Sequence, residues 1–155
     1  MLVDPDSLAV LGGALALGGG LLGSAIGISR AASAGVITLA EEPGQFRNVV
    51  VLASLPMTQS FYGLIVLILI INSIIPLPES GGEGFAVLGL GIMVAAAESF
   101  SAIFQGSVCA SGISLLTKTR GRILTNSMML AVFVELLGVL GLVFAIMSFS
   151  MLDLM

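Results

Sequence analysis

Two carboxyl side chains lie deep inside long apolar stretches of this sequence, and they are the residues best suited to chemistry. Glu135 lies in the last apolar stretch, and Glu98 lies in the stretch before it. A carboxylate in hydrocarbon is costly unless it is paired or neutralised, so such residues mark ion-binding or proton-carrying sites. The alternative for Glu135 is a protonated side chain that hydrogen-bonds a neighbour for packing.

Amide and hydroxyl side chains accompany Glu135 at a matching depth. Glu135, Gln105 and Gln59 each lie 13 residues from the same end of their apolar stretches, the end that adjoins the basic connections. Thr58 adjoins Gln59, and Tyr62 lies one helical turn further on. If the stretches are helices with equal rise, these side chains form one polar layer that crosses three helices.

Such a layer has the chemistry of a cation site. A monovalent cation stripped of water needs several oxygen ligands, which a carboxylate, two amides, a hydroxyl and a backbone carbonyl would supply. Pro56 removes one helical N–H and can bend its helix, and the freed carbonyl is that of either Leu55 or Leu52. Taken singly, a membrane Gln or Thr is more often a hydrogen-bonding contact between helices.

Composition places most of the chain in lipid. Of 155 residues, 57% are hydrophobic and 9% are charged, and the mean hydropathy is +1.18, values that a soluble single-core domain does not reach. With no His and a single Cys, at position 109, a zinc site and a disulfide framework are excluded. The N-terminus carries acids where a secretory signal carries Lys or Arg, which predicts that the first apolar stretch is retained.

Four apolar stretches predict four transmembrane helices. Each is continuous rather than alternating, which disfavours a membrane β-barrel, and each exceeds the roughly 20 residues that a span requires. Glycines at spacing four in helix 1 predict a close approach between helix backbones. The predicted spans are 7–34, 46–75, 85–116 and 123–150, and the glycines are Gly19, Gly23 and Gly27.

Charge distribution predicts the orientation of a multi-pass protein in the cell membrane. All five basic residues lie in or beside the connections between helices 1 and 2 and between helices 3 and 4. The termini and the second connection carry only acids. By the positive-inside rule, we expect the two basic loops on the cytoplasmic side and both termini on the extracytoplasmic side.

The two halves of the chain resemble each other when shifted by 77 positions, as Ser24–Ile26 on Ser101–Ile103 illustrates. This indicates a duplicated helical hairpin, with a first hairpin over residues 1–78 and a second over 79–155. Because the two basic loops superpose, the repeats have the same topology in the membrane rather than an inverted one.

The segments Leu55–Tyr62, Phe104–Gly106 and Phe133–Leu136 resemble the rotor-ring proteolipid of V-type ATPases. The resemblance spans nearly the whole chain. It is closest to the bacterial sodium-transporting branch, in which Leu-Pro-x-Thr-Gln-x-x-Tyr in helix 2 accompanies a Gln in helix 3 and a Glu in helix 4. It therefore implies a non-catalytic, ion-translocating subunit whose transported ion is Na⁺, with H⁺ as the alternative.

The same resemblance assigns roles to the residues of the polar layer. It makes Glu135 the ion-binding carboxylate and Tyr62 its hydrogen-bonding partner. The further oxygen ligands that it implies are Thr58, Gln59, Gln105 and the backbone carbonyl of Leu55.

The resemblance also implies partners. Identical subunits would form a ring in the lipid membrane, with helices 1 and 3 inside and helices 2 and 4 outside. A stator membrane subunit with an arginine would release the ion, central-stalk subunits would bind the ring, and ATP hydrolysis would occur in another subunit. No nucleic acid is expected as a partner.

Glu98 departs from the family pattern, in which that position of helix 3 is ordinarily small or uncharged. It lies seven residues before Gln105, so it shares roughly the same helix face about 10 Å nearer the extracytoplasmic side. Two interpretations stay open for it: a protonated packing residue, or an uncertain extra carboxylate that tunes ion access.

Two other functions fit part of the pattern. A small proton-coupled transporter acting as an oligomer would need only one membrane carboxylate, but it would also need a substrate cavity. A purely structural helical module is disfavoured because Glu135, Gln59 and Gln105 share one level. A rotor subunit would instead form a large, detergent-resistant oligomer.

Overall fold

The chain is helical along almost its whole length and forms four long apolar helices. The computed structural model describes residues 4–78 and 82–155, and within those ranges it contains no β-strand. Each long helix is sufficiently apolar to cross a membrane, so the predicted all-α, multi-pass membrane fold is confirmed. The spans are Pro5–Glu41 (helix 1), Pro43–Ile74 (helix 2), Glu83–Ser114 (helix 3) and Leu124–Met151 (helix 4).

Helix 1 has clear start and stop signals. Its N-cap is Asp4, whose carboxylate accepts hydrogen bonds from the backbone N–H and the hydroxyl of Ser7 at 2.8 and 2.7 Å. Both bonds favour the charged form and lower the pKa of Asp4. The helix continues to Glu41, seven residues past its predicted end, because only Pro43 and its restriction on the preceding residue stop it.

Helix 2 is not a uniform α-helix. Pro56 has no N–H to donate, and the helix tightens into a 3₁₀ turn around it, which meets the expectation of a local distortion there. A π-helical turn ends the span. After a 3₁₀ turn over Pro43–Gln45, the successive segments are Phe46–Ser54 (α), Leu55–Met57 (3₁₀), Thr58–Leu69 (α) and Ile70–Ile74 (π).

The connections meet at two opposite ends of the bundle. Between helices 3 and 4, after a short helix at Leu116–Thr119, the chain turns through a left-handed glycine, Gly121, with φ of 79°. A Cβ at Gly121 would lie 2.9 Å from Asn48 Nδ2, so this turn packs against the start of helix 2. At the other end, the backbone N–H of Leu77 donates to Asp6 Oδ1 at 2.7 Å.

The hairpin boundary predicted between residues 78 and 79 adjoins residues 79–81, which lie outside the described ranges. The exact division into 1–78 and 79–155 therefore stays a prediction.

Glycines bring helices 1 and 3 into backbone contact. A Cβ at Gly19 would lie 2.5 Å from the Ala95 carbonyl oxygen, and a Cβ at Gly23 would lie 2.6 Å from Ser99 Cα. Both distances are far shorter than real Cβ contacts, so only glycine fits. The close approach predicted from the glycine spacing is confirmed, and further pairs extend it: Gly12 with Gly91, and Gly27 with Gly106.

Two apolar clusters fill the bundle, one toward each end. One includes Val94 and Phe149, on the side of the chain termini, and the other includes Leu52 and Ile113, on the side of the two basic loops. Buried polar side chains, among them Gln59, lie between these clusters. The fold thus places a polar layer in the middle of an apolar bundle.

Candidate functional site

The site is built around Glu135, which projects from helix 4 toward helices 2 and 3. Its Oε1 accepts a hydrogen bond from the Tyr62 hydroxyl at 3.0 Å, and its Oε2 accepts one from Gln105 Nε2 at 3.1 Å. Each carboxyl oxygen therefore has one donor from a different helix. Because Glu135 is only half-buried, its carboxylate lies near the outer surface of the subunit.

Two glutamines continue the layer inward from Glu135. Gln59 Nε2 donates to Gln105 Oε1 at 2.9 Å, which links helix 2 to helix 3. Both amide side chains are fully buried. Buried amides without partners are costly, so this mutual hydrogen bonding fixes how both side chains are oriented.

Thr58 supplies the hydroxyl of the layer at the N-terminal end of the second half of helix 2. Its Oγ1 lies 3.1 Å from Gln59 Oε1 and 3.3 Å from the Leu55 carbonyl oxygen. The same carbonyl accepts the backbone N–H of Thr58 in the 3₁₀ turn. The distortion at Pro56 thus brings a backbone oxygen close to the side-chain layer.

Ser101 belongs to this site, although the sequence reasoning missed it. Its hydroxyl accepts a hydrogen bond from Gln59 Nε2 at 3.0 Å and donates to the Val134 carbonyl oxygen, also at 3.0 Å. It thereby links helices 2, 3 and 4 beside Glu135. The available signal was its position one turn before Gln105 on the same helix face.

Glu98 lies apart from this hydrogen-bonded layer. It is fully buried, and neither of its carboxyl oxygens hydrogen-bonds to any residue in the described parts of the chain. A Cβ at Gly138 would lie 2.6 Å from Glu98 Oε2 and 3.1 Å from Ser101 Oγ. Glu98 therefore borders the site without joining it.

The structure brings together the side chains of Glu135, Gln105, Gln59, Thr58 and Tyr62, and it places the Leu55 carbonyl at their edge. These groups offer oxygen ligands, the kind that hard cations prefer. Within residues 4–78 and 82–155, no cluster of three or more His, Cys, Asp or Glu side chains could hold a metal ion. The site chemistry therefore suits a monovalent cation bound by one carboxylate and neutral oxygens.

Comparison with known proteins gives a family match in both halves of the chain. The model for the C subunit of ATP synthase matches residues 11–70 and again residues 88–148. The starts of the two matches are 77 positions apart, the same shift that relates the halves of the sequence. The predicted duplication of a helical hairpin is confirmed.

Two curated proteins are similar along most of the chain. The A-type ATP synthase subunit K of Methanocaldococcus jannaschii is 32% identical over 149 residues, which cover 94% of this chain but only 63% of that protein. The V-type sodium ATPase subunit K of Enterococcus hirae is 32% identical over 122 residues, which cover 79% of this chain and 77% of that protein. This chain thus spans less than two thirds of the archaeal relative's length.

Proposed function

Because this chain belongs to the family of the ATP synthase C subunit, we propose that it is a rotor-ring component of an A/V-type ATPase that carries a cation across the membrane on Glu135. The observation that carries the proposal is the hydrogen-bonded layer in which Tyr62 and Gln105 each donate to one oxygen of that carboxylate. The layer lies at mid-span, where only a transport or binding role repays the cost of a carboxylate.

Ion binding would exchange donor contacts for oxygen ligands. Gln105 now presents Nε2 to Glu135, so its amide would turn by about half a rotation to present Oε1 instead. Thr58, Gln59 and the Leu55 carbonyl would supply the remaining oxygens. Tyr62 would keep its hydrogen bond to the other oxygen of the carboxylate and hold it in place.

Sodium is the transported ion that the ligand set favours. A proton needs a single oxygen, whereas a sodium ion stripped of water needs several, and the layer assembles five candidates. The relative from Enterococcus hirae, whose printed name is that of a sodium ATPase subunit, supports the same choice. Glu135 supplies the one negative charge that a monovalent cation neutralises.

Charge neutralisation would couple ion occupancy to movement. Glu135 is half-buried in the single subunit and lies beside the exposed apolar side chains of Phe133 and Leu137 on helix 4. A bare carboxylate on that surface would face lipid at high cost, whereas an ion-bound carboxylate would pass the bilayer. A stator arginine would displace the ion, and ATP hydrolysis would occur in another subunit.

The test is the rate at which a hydrophobic carbodiimide modifies Glu135 in the purified protein, measured with and without sodium at fixed pH. Carbodiimides react with protonated carboxyl groups, so a sodium ion bound at Glu135 should slow modification. We expect sodium to protect Glu135 at concentrations at which potassium does not. Modification that follows pH alone would exclude the sodium site and indicate a proton-carrying rotor.

A further inference from the structure

Glu98 is a second carboxyl group inside the membrane bundle, and the ion site at Glu135 does not use it. Its side chain is fully buried, and both carboxyl oxygens lack a hydrogen-bond partner in the described parts of the chain. Buried polar groups in folded proteins are nearly always paired. An orphaned carboxyl in the middle of a membrane span therefore requires an explanation.

The subunit itself encloses Glu98. Helix 4 passes over the carboxyl group with two glycines, and a Cβ at Gly138 or Gly141 would lie 2.6 Å from Oε2 or 3.7 Å from Oε1 of Glu98. Gly141 also lies against Ala97, since its Cβ would be 2.7 Å from the Ala97 Cβ. Because the side chain is fully covered within one subunit, a neighbouring copy in a ring cannot supply the missing partner.

Among the residues that the structure describes, no positive charge lies close enough to neutralise Glu98. The titratable groups that interact with it electrostatically are Glu135 on helix 4 and Tyr62 on helix 2, and neither is cationic. Helix 1 carries no titratable side chain between Asp6 and Arg30.

Arg30, the one basic residue of helix 1, is committed elsewhere. Its guanidinium donates to Ser107 Oγ at 2.8 Å and to the Ile103 carbonyl oxygen at 3.3 Å. Those residues lie five to nine positions further along helix 3 than Glu98, a separation of about 7 to 13 Å along the helix axis. Arg30 therefore does not compensate a charge at Glu98.

We propose that Glu98 is a second cation site of the subunit and that its cation is a resident proton, held while the exchangeable ion occupies Glu135. A metal ion would need several oxygens, but within residues 4–78 and 82–155 the one side-chain oxygen placed next to Glu98 is that of Ser101. That hydroxyl already donates to the Val134 carbonyl and accepts from Gln59. A proton needs only one carboxyl oxygen.

The consequence concerns the charge of the whole site. With Glu98 neutral, each subunit presents one carboxylate, and a single monovalent cation at Glu135 suffices to cross the lipid face. A charged Glu98 would require a second ion in each subunit. The inference rests on the proposed function only in naming Glu135 as the exchangeable site, since the proton on Glu98 can be measured directly.

The experiment is infrared spectroscopy of the purified full chain in lipid at neutral pH and saturating sodium, with an exchange to deuterated water. A protonated carboxyl group gives a C=O stretching band that is separate from those of carboxylates and shifts on deuteration. We expect this band in the unchanged protein, its loss in Glu98→Gln, and its retention in Glu135→Gln. Glu83→Gln, a matched change at the start of the same helix, should leave the band in place.

Sodium counting supplies an independent reading that does not depend on any one variant folding well. The unchanged protein and Glu98→Gln should bind the same number of sodium ions per subunit. An absent acid band in the unchanged protein, a band that survives in Glu98→Gln, or a sodium count that falls in that variant would each overturn the proposal. If the proposed function alone fails, sodium will not protect Glu135, yet the Glu98 band will remain.

Discussion

At the scale of single residues, the site works by dividing the work between the two oxygens of one carboxylate. Tyr62 donates to Oε1 of Glu135, whereas Gln105 donates to Oε2, on the side of the buried amides. An ion bound among the amides would replace the contact with Gln105 but not the contact with Tyr62. The tyrosine hydroxyl should therefore hold the carboxylate in its binding position in both arrangements.

Removing that hydroxyl should weaken ion binding without abolishing it. A hydrogen bond to a charged group contributes roughly 1.5–3 kcal/mol, so Tyr62→Phe should raise the sodium concentration for half-maximal protection of Glu135 by about tenfold or more. The measurement is carbodiimide modification across a sodium titration. Ser54→Ala is a suitable control, because that hydroxyl bonds only to the Val51 carbonyl of its own helix, at 3.1 Å. Equal sodium affinity in Tyr62→Phe and the unchanged protein would exclude the holding role.

Several members of the site could be predicted from sequence because helical rise is fixed. Counting 13 residues inward aligned Glu135, Gln105 and Gln59, and these three side chains do meet in the structure. Ser101 escaped prediction because a serine inside a helix usually bonds to its own backbone, and only the packed bundle shows that it bonds across helices.

Glu98 was placed on the correct helix face from sequence, but its lack of a partner was not predictable. That finding depends on helix 4 crossing the carboxyl group at Gly138, a contact between residues 40 positions apart. Sequence spacing describes neighbours within one helix and gives no information on such crossings.

At the scale of helices, the four spans were predictable because each is a continuous apolar run bounded by breakers or charges. The internal distortions of helix 2 were predictable only at Pro56, where a missing N–H has a known effect. The π-helical turn over Ile70–Ile74 has no comparable residue signal. The seven added residues of helix 1 depend on where Pro43 stops the helix rather than on where strong hydrophobicity ends.

The contact between helices 1 and 3 should be the packing element most sensitive to added volume. A Cβ at Gly106 would collide with the Gly27 backbone, so Gly106→Ala must separate the two helices. Overpacking of this kind costs about 1–3 kcal/mol, and we expect a lower midpoint of thermal unfolding in detergent, followed by circular dichroism. Gly89→Ala is the matched control, because a Cβ there meets no atom within 4 Å. An unchanged midpoint in Gly106→Ala would show that the helices are not in backbone contact.

At the scale of the whole molecule, the duplication has left the two hairpins unequal. In the first hairpin, Thr58 and Gln59 occupy the level at which the second hairpin carries Glu135. The four helices therefore supply neutral oxygens from one half and the carboxylate from the other, and both halves build one site. A ring of such subunits would move fewer ions per turn than a ring of single hairpins with the same number of hairpins and one carboxylate in each.

This asymmetry predicts the number of ions in the assembled ring. Native mass spectrometry of the purified oligomer should give a number of subunits, and sodium bound at saturation should equal that number, one ion per four-helix subunit. Glu135→Gln should assemble into a ring with the same number of subunits, because the change is nearly isosteric and leaves the glycine contacts of helices 1 and 3 intact. That variant should bind no sodium and transport none. Full transport by Glu135→Gln would remove this carboxylate from the mechanism, whereas two ions per unchanged subunit would mean that Glu98 also exchanges its cation.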